Sequence, residues 1–528
     1  MDKKELLNFC IEKKIVLDND LLNLFSQFED LNSIKDFIES LKKVTQKNFI
    51  TRNVLTSNKE VIKNVLLSSS NENLRELTIK LGLNLEISAK TLDSSMNFSS
   101  EKPKVKITSS YNVPPKNFEV KDFVKHFRSR FDEMKKLLEG NSSLESLVSI
   151  NKITYSKQNV SIIGMVYHKS ITKNKNIILE VEDFTGKAKL LINRDKTELY
   201  EKADNLPLDA VLGFKCSGNK DILFVNDIIL PESHLALRKK APVEEYAAFI
   251  GDFHFGSKNF MKKEFLKFID YLNGNFKEDA ISKKIKYLFL VGDIVTGVGN
   301  YPDQEKDLEI KDLESQFSGL AEILSTIRKD IQIIISPGNH DGVRLMEPQP
   351  LFDEKYAWSL YELENVILVG NPSYVNIGEK KDFLGFDVLI YHGFSYPYYA
   401  NNISKLTVEK SMNSPEKIME YLLTYRHLAP THGSVQYYPS EKDNHLIRKI
   451  PDIFVSGHTH KSGVFYSNNI LLVSISSWES LTPYQEKFGN EPDHCKVPLI
   501  NLKTRAIKIL DFEESNNENS EKGEEDGD

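Results

Sequence analysis

Short apolar runs alternate with amphipathic helical patterns from about residue 246 to residue 502. Runs of four or five mostly apolar residues predict buried strands, and helical spacing at 265–272 and 313–324 predicts helices between them. The strand candidates are 247–250, 287–291, 331–335, 388–391, 452–455 and 470–473. This alternation is typical of an α/β layered domain, to which we assign residues 241–510. Polar sites in such domains collect where the strands end.

The N-terminal part has a different pattern. Helical spacing over 1–82, for example at Ile34, Phe37, Ile38 and Leu41, predicts a small helical domain with a docking or spacer role. Residues 83–120 are rich in Ser, Asn, Lys and Pro and lack a periodic pattern. They cannot bury enough apolar surface to offset the entropy of ordering, so they predict a flexible linker.

Residues 121–240 predict a helix followed by a β-barrel. Five β-rich runs follow the helix within about 90 residues, a number and spacing that suit an OB-fold. Many OB-folds bind single-stranded nucleic acid by stacking bases on aromatic side chains. Few aromatic residues alternate along these strands, so nucleic-acid binding and a purely structural role both remain open for the barrel.

Composition and charge add three expectations. Residues 511–528 hold nine acidic residues and one lysine, a charge of −8 that exceeds the net charge of −7 of the whole chain, and they predict a disordered acidic tail. The three cysteines are far apart and form no Cys-x-x-Cys zinc pair. The sequence has no apolar run of membrane-spanning length and no signal-peptide pattern at its start, which predicts a cytoplasmic protein without membrane contact.

The candidate chemistry lies in the loops that follow the predicted strands. These loops read Gly-Asp-Phe-His at 251–254, Gly-Asp at 292–293, Gly-Asn-His-Asp at 338–341, His-Gly at 392–393 and Gly-His-Thr-His at 457–460. A single Asp, Asn or His at such a position is usually a turn former, a helix cap or a surface group. Five clusters in this order, each after an apolar strand, instead indicate a centre with two divalent ions, which needs a bridging carboxylate and mixed nitrogen and oxygen ligands.

These five loop sequences resemble the motifs of the calcineurin-like metallophosphoesterases. The resemblance implies one ion held by Asp252, His254, Asp293 and His460, and another held by Asp293, Asn339, His392 and His458. It also implies that His340 contacts the scissile phosphate and protonates the leaving oxygen, a task that suits an imidazole. Mixed ligands favour Mn²⁺, with Fe, Zn, Ni and Mg left open.

A narrower resemblance covers residues 145–505. An OB-fold followed by a phosphoesterase, together with the sequence segments at 297–305, 426–430 and 450–454, is similar to the small subunit of archaeal family D DNA polymerase. That family is related to the eukaryotic replicative polymerase B-subunits. The resemblance implies a 3′–5′ exonuclease that acts in proofreading. It further implies as partners a large polymerase subunit, DNA with single-stranded or frayed 3′ ends, and other replication factors.

Two alternatives remain open. The chain could be a non-catalytic scaffold that joins the polymerase to other factors and keeps a metal only for structure. It could also be a phosphatase, although that class needs neither an OB-fold nor the sequence segments that resemble the polymerase subunit. The full set of predicted ligands favours an active nuclease, because a structural site requires neither His340 nor open coordination positions.

Overall fold

The computed structural model describes residues 3–13, 15–17, 35, 38–39, 42, 49–50, 103–111, 116–275, 280–482, 486 and 491–513. The chain divides into two compact units, Met1–Ser100 and Glu101–Asp528. The first unit contains the helix Lys3–Glu12 and a parallel pairing of strand β1, Val16–Leu17, with strand β2, Phe49–Ile50. Helix formation at the N-terminus agrees with the sequence, whereas the strand pair was not predicted. Most of the helical domain predicted over 1–82 lies outside the described residues.

The second unit contains the remaining described strands and most of the described helices. The strands are β3 (Val105–Ser110), β4 (Gln158–Ile171), β5 (Ile177–Asp183), β6 (Gly186–Ile192), β7 (Val211–Gly218), β8 (Leu223–Ile229), β9 (Tyr246–Ile250), β10 (Ile285–Val291), β11 (Gln332–Ser336), β12 (Val366–Leu368), β13 (Ser373–Ile377), β14 (Phe386–Ile390), β15 (Ile453–Ser456), β16 (Gly463–Ser467), β17 (Ile470–Ser474), β18 (Lys496–Asn501) and β19 (Ile507–Asp511). The α-helices are Val120–Glu139, Thr197–Asp204, Lys262–Leu272, Leu313–Ser325, Glu354–Tyr361, Tyr396–Asn402, Ser404–Val408 and Pro415–Thr424.

Two six-stranded sheets form the centre of the α/β domain. The first has the order β12-β11-β10-β9-β18-β19 and the second the order β16-β17-β15-β14-β13-β3. Side chains alternate between the two faces of each strand. Phe249 and Phe289 stack with ring centroids 4.9 Å apart, in the core shared with Val388 of the second sheet. Ala248 and Leu288 instead face the helices that cover the first sheet. The α/β layered prediction is therefore confirmed, as helix, sheet, sheet and helix layers.

The five β-rich runs predicted before the α/β domain form a closed barrel of order β4-β5-β6-β8-β7. Strands β6 and β8 pair in parallel, and helix Thr197–Asp204 connects β6 to β7. The barrel packs on the helices of the α/β domain through Asn205. The Asn205 carbonyl accepts a hydrogen bond of 2.8 Å from the Tyr421 hydroxyl, and its side-chain oxygen accepts one of 2.9 Å from the Lys405 backbone N–H.

The linker predicted over 83–120 is wrong for part of its length. Strand β3 pairs antiparallel with β13 at the edge of the second sheet. The pattern could not reveal this strand, because only Val105 and Ile107 are apolar and backbone pairing at a sheet edge does not require a buried face. The disordered tail predicted over 511–528 is wrong at its first residues, since β19 includes Asp511 and the Phe512 ring lies 5.5 Å from the Phe268 ring. Residues 514–528 lie outside the described residues.

In the part of the chain that the structure describes, no helix combines the length and the hydropathy that a membrane crossing requires.

Candidate metal centre

The predicted ligands follow strands from both sheets and meet at one edge of the domain. Strands β9, β10 and β11 are parallel neighbours in the first sheet, and β14 and β15 are parallel neighbours in the second. Asp252, Asp293 and Asn339 come two or three residues after the strands of the first sheet. His392 and His458 each come two residues after a strand of the second. The carboxyl ends of all five strands therefore deliver polar side chains to the same place.

One group of candidate ligands contains Asp252, His254 and His460. Each offers one ligand atom, and these atoms lie within 4.8 Å of one another. The Nε2 atoms of His254 and His460 are 3.3 Å apart, and His460 Nε2 lies 3.9 Å from an oxygen of Asp252. Two imidazole nitrogens that face each other this closely need a proton or a cation between them.

A second group contains Asp293, His392 and His458, again within 4.8 Å. His392 Nε2 lies 3.2 Å from Asp293 Oδ2 and 3.1 Å from the side-chain oxygen of Asn339. On the other side of the ring, His392 Nδ1 is 3.1 Å from the Val291 carbonyl oxygen. A carbonyl can only accept, so Nδ1 carries hydrogen and Nε2 is the atom available to a metal, an arrangement common for metal-binding histidines.

A third group, His254, Asp293 and His340, shares His254 with the first group and Asp293 with the second. Asp293 thus belongs to two of the three groups, as a bridging carboxylate requires. Its Oδ1 atom also accepts a hydrogen bond of 2.7 Å from the His340 backbone N–H, which fixes the carboxylate. The His340 ring meets the His254 ring edge-on, with centroids 4.8 Å apart. The structure therefore brings all eight residues singled out from the sequence to one site.

Most of the histidines are held in the neutral form that can bind a metal. Burial, together with the nearby His340 imidazole, lowers the pKa of His254 to about 3. Burial and the charge of His392 lower the pKa of His458 to about 3. The pKa of His460 lies well below its usual range, because of burial and the adjacent His254.

Asp252, Asp293 and His392 also have shifted pKa values. Burial lowers the pKa of His392, but the Asp293 carboxylate outweighs it and raises the value to about 10. Burial opposes ionisation of Asp293, yet the His392 and His340 imidazoles hold its pKa well below the usual range. Burial raises the pKa of Asp252 well above its usual range. Among the described residues, neither Asp252 nor Asp293 pairs with a Lys or Arg side chain.

The backbone at the site is strained and closely packed. Five of the predicted ligands have a positive φ, which non-glycine residues rarely adopt and which is concentrated at functional sites: Asp252, His254, Asp293, His458 and His460. Glycines let the loops approach one another. A Cβ atom on Gly292 would lie 2.2 Å from His392 Nδ1, and one on Gly338 would lie 2.3 Å from Asp293 Oδ1.

These observations fit a divalent metal centre. The donors are a mixture of carboxylate oxygen, amide oxygen and neutral imidazole nitrogen, the set that suits first-row transition ions. They are mostly buried, they converge in groups of three, and among the described residues neither Asp252 nor Asp293 is paired with a Lys or Arg side chain. The site can therefore hold divalent metal.

Two acidic residues at the site were not singled out from the sequence. Asp341 accepts hydrogen bonds from the backbone N–H groups of Val295 (2.9 Å) and Gly338 (2.7 Å), and so ties two ligand loops together. Its position in the Gly-Asn-His-Asp motif could have revealed it. Glu479 lies 4.0 Å from His254 Nε2, and burial raises its pKa to about 7. It does not directly follow a predicted strand, and it belongs to none of the five loop motifs.

The family model for the B-subunits of DNA polymerases alpha and epsilon matches residues 247–464. Among solved structures, the chain is similar to an archaeal phosphodiesterase, with 12% identity, 50% of this chain and 98% of the other covered, and a TM-score of 0.25. It is also similar to Vacuolar Protein Sorting 29 from Cryptosporidium parvum, with 16% identity, coverage of 51% and 96%, and a TM-score of 0.22.

The curated relatives are far more similar. The DNA polymerase II small subunit of Pyrococcus furiosus is 37% identical over 403 residues, which cover 74% of this chain and 64% of that protein. The chain thus spans less than two thirds of the length of this relative. The corresponding protein of Methanothermobacter thermautotrophicus is 34% identical, with 75% of this chain and 80% of that protein covered. That of Thermoplasma acidophilum is 34% identical, with 78% and 82% covered. On this identity and coverage, the resemblance found in the sequence is confirmed, and the chain belongs to the small-subunit family of archaeal family D DNA polymerase, also called DNA polymerase II.

Proposed function

We propose that this chain is a metal-dependent 3′–5′ exodeoxyribonuclease that removes nucleotides from DNA ends on behalf of a large polymerase subunit. The observation that supports this most strongly is the position of Asp293 in two of the three candidate ligand groups. One carboxylate shared between neighbouring positions is what a pair of ions a few ångströms apart requires. A metal kept only for structure needs no such sharing.

The ligand assignment is the one that the family resemblance implies, and two of the groups support most of it: Asp252, His254 and His460 in one, and Asp293, His392 and His458 in the other. One ion would be held by Asp252, His254, Asp293 and His460, and the other by Asp293, Asn339, His392 and His458. We propose Mn²⁺ as the metal, because oxygen and nitrogen donors are mixed at both positions. When bound, the ions polarise the phosphate and supply positive charge to the transition state.

His340 would protonate the leaving 3′ oxygen. Its backbone is held by Asp293, while its Nδ1 atom lies 3.3 Å from both the Thr296 carbonyl oxygen and the Asn300 side-chain nitrogen. These contacts occupy one edge of the ring and leave Nε2 for the substrate. The partly exposed His340 side chain is the least buried member of its group, as a residue that touches DNA must be.

The partners of the chain follow from its family and from the barrel. Membership in the small-subunit family supports a large catalytic polymerase subunit as partner and a role in DNA replication. The barrel order β4-β5-β6-β8-β7 supports the OB-fold assignment, as does the helix that joins β6 to β7, the third and fourth barrel strands in chain order. We keep the domain limits 121–240 and 241–510, the helical domain over 1–82 and the cytoplasmic location as proposals.

A direct test is degradation of single-stranded DNA labelled at its 5′ end, in the presence of Mn²⁺. We expect a ladder that shortens from the 3′ end. A matched oligonucleotide with non-hydrolysable linkages at its 3′ terminus should stay intact, whereas an endonuclease would still cut it internally. The large subunit is added in a parallel reaction, because it could deliver the frayed end. If neither reaction shortens the DNA while metal is bound, the chain is a scaffold and the proposal is wrong.

A further inference from the structure

A buried network of polar side chains contacts the ligand loops of His392 and Asn339 and lies outside the five loop motifs. Its centre is Glu347, which is fully buried and follows the Gly-Asn-His-Asp loop by a few residues. Ionised carboxylates are rarely buried unless they are paired and hydrogen-bonded, since burial in a low-dielectric interior is costly. The partners of Glu347 therefore indicate why it is there.

The first branch of the network leads from Glu347 to the loop of His392. The Asn371 side-chain N–H₂ donates to Glu347 Oε1 at 3.3 Å and to Gln349 Oε1 at 2.8 Å. Because its nitrogen faces two acceptors, the orientation of the Asn371 amide is fixed. Its oxygen then accepts a hydrogen bond of 2.9 Å from the His392 backbone N–H. Glu347 thus acts through one side chain on the backbone of a candidate ligand.

A second branch leads to the loop of Asn339. The Gln349 side-chain N–H₂ donates to the carbonyl oxygen of Gly338 at 3.2 Å, directly before Asn339. Asn371 therefore holds the backbone of His392, and Gln349 holds the backbone directly before Asn339. His392 and Asn339, with His458, are the ligands of one proposed metal position that the other position does not share. No described hydrogen bond of Glu347, Gln349 or Asn371 reaches the loops of Asp252 or His460.

On its other side, Glu347 is paired with cationic and phenolic groups. Its Oε2 atom accepts hydrogen bonds from the Tyr391 hydroxyl at 3.1 Å and from His445 Nε2 at 3.0 Å. Burial lowers the pKa of His445, but its hydrogen bonds to Asp443 and Glu347 outweigh burial and raise the value to about 9. Asp443 in turn accepts a hydrogen bond of 2.6 Å from Arg130 of helix Val120–Glu139. Both carboxylate oxygens of Glu347 are thus satisfied, and its position is fixed.

We propose that Glu347, acting through Asn371 and Gln349, is a positioning residue for the metal position formed by Asn339, His392 and His458. The proposal rests on the ligand assignment of the proposed function. It is selective: a change at Glu347 should weaken binding of the ion at this position and leave the position of Asp252, His254 and His460 unchanged. Loss of an outer-shell partner typically weakens metal binding about 10–100-fold.

The test uses Glu347→Gln, which keeps the shape of the side chain but replaces one acceptor oxygen with a donor. Asp452→Asn is the matched control. Asp452 is also buried and accepts hydrogen bonds from Lys239 Nζ (2.6 Å) and the Asp387 backbone N–H (2.9 Å), but it lies before strand β15, at the end of the strand away from His458. Mn²⁺ binding is measured by calorimetric titration, and the bound ions are observed by electron paramagnetic resonance.

We expect wild type and Asp452→Asn to bind a spin-coupled pair of ions. Glu347→Gln should bind one ion with wild-type affinity and the second about 10–100-fold more weakly, with the spectrum of an isolated Mn²⁺ ion. An unchanged pair in Glu347→Gln would overturn the proposal, and so would equal weakening of both ions. Wild type that binds fewer than two ions would instead contradict the proposed function.

A second variant decides the question if Glu347→Gln does not fold. Gln349→Met preserves the approximate size of the side chain, but it can neither accept from Asn371 nor donate to the Gly338 carbonyl. The thermal midpoint of each apo protein checks that it is folded. Selective weakening of the same ion in Gln349→Met supports the positioning role, and wild-type binding of both ions overturns it.

Discussion

The His392 Nε2 atom lies 3.2 Å from a carboxylate oxygen of Asp293, although the two residues follow strands of different sheets. Asp293 comes after β10 in the first sheet and His392 after β14 in the second. The contact therefore depends on how the two sheets pack, and it makes the geometry of the candidate metal centre sensitive to small changes in the loops.

The close approach of these loops predicts that Gly292→Ala destroys the site. The new Cβ atom would lie 2.2 Å from His392 Nδ1, at a φ of +77° that alanine adopts poorly. We expect loss of metal binding at the position that His392 serves, together with at least a tenfold loss of DNA hydrolysis. Both are measured on the purified variant, by metal analysis and by the 3′-end assay.

A matched glycine separates the clash from the backbone strain. Gly433 has a φ of +89°, and a Cβ atom there would meet nothing within 4 Å. Gly433→Ala should therefore cost about 1 kcal/mol of folding free energy and leave metal content and turnover unchanged. Equal losses in both variants would mean that strain, and not the contact with His392, explains the result.

Replacement of His340 tests its proposed role as the proton donor. His340→Ala should keep wild-type metal content and lower turnover on DNA by roughly 10²–10⁴-fold. The loss should be much smaller on a nucleotide p-nitrophenyl ester, whose leaving group needs no proton. The exposed loop residue His432 provides the control, since its alanine variant should retain full turnover.

A fall in metal content would lead to a different conclusion about His340. It offers a ligand atom within 4.8 Å of those of His254 and Asp293. If His340→Ala lost an ion along with activity, the residue would be a metal ligand and not the acid.

The buried imidazole of His445 makes stability depend on pH. Its folded pKa of about 9 lies above the ordinary value of 6.5. A group whose pKa is raised on folding stabilises the native state below its unfolded pKa, and this contribution is lost as the pH rises through the folded value. The loss should begin near the ordinary pKa, be nearly complete above the folded pKa and amount to roughly 3 kcal/mol.

The measurement compares denaturant unfolding of wild type and His445→Gln between pH values of about 7 and 9.5. Asp443 and Glu347 are the charged groups that face His445, while the His427 and Tyr437 rings pack against it. The free energy of unfolding should fall with pH more steeply in wild type than in the variant. Parallel curves would show that His445 does not titrate in this range.

The sequence could predict the ligand loops because each signal is local. A short apolar run followed by Gly, Asp, Asn or His places the polar residue at the end of a strand. Parallel strands bring their ends together regardless of the details of packing. Asp252, Asp293 and His392 therefore meet as predicted, and the five runs of the barrel become the strands β4–β8.

The groups that support the ligands could not be found in the same way. Glu347 meets Asn371 and His445 only because two sheets and several loops pack around it. Arg130 lies on the helix Val120–Glu139, where basic residues usually face solvent, yet it is 1% exposed and pairs with Asp443. Such contacts carry no periodicity and no fixed spacing. Strand β3 was missed for a related reason, since it is stabilised by pairing at an edge and not by burial.

The most direct test of the central claim is the metal content of Asp293→Asn beside that of wild type. Asp303→Asn serves as the control, because Asp303 is an exposed carboxylate whose one ion pair among the described residues is with Lys306 at 3.0 Å. We predict two ions per chain and full 3′–5′ hydrolysis in wild type and in Asp303→Asn. Asp293→Asn should lose hydrolysis and bind fewer than one ion per chain, since one carboxylate serves both positions. An Asp293→Asn variant that keeps both ions and full activity would contradict the two-metal account.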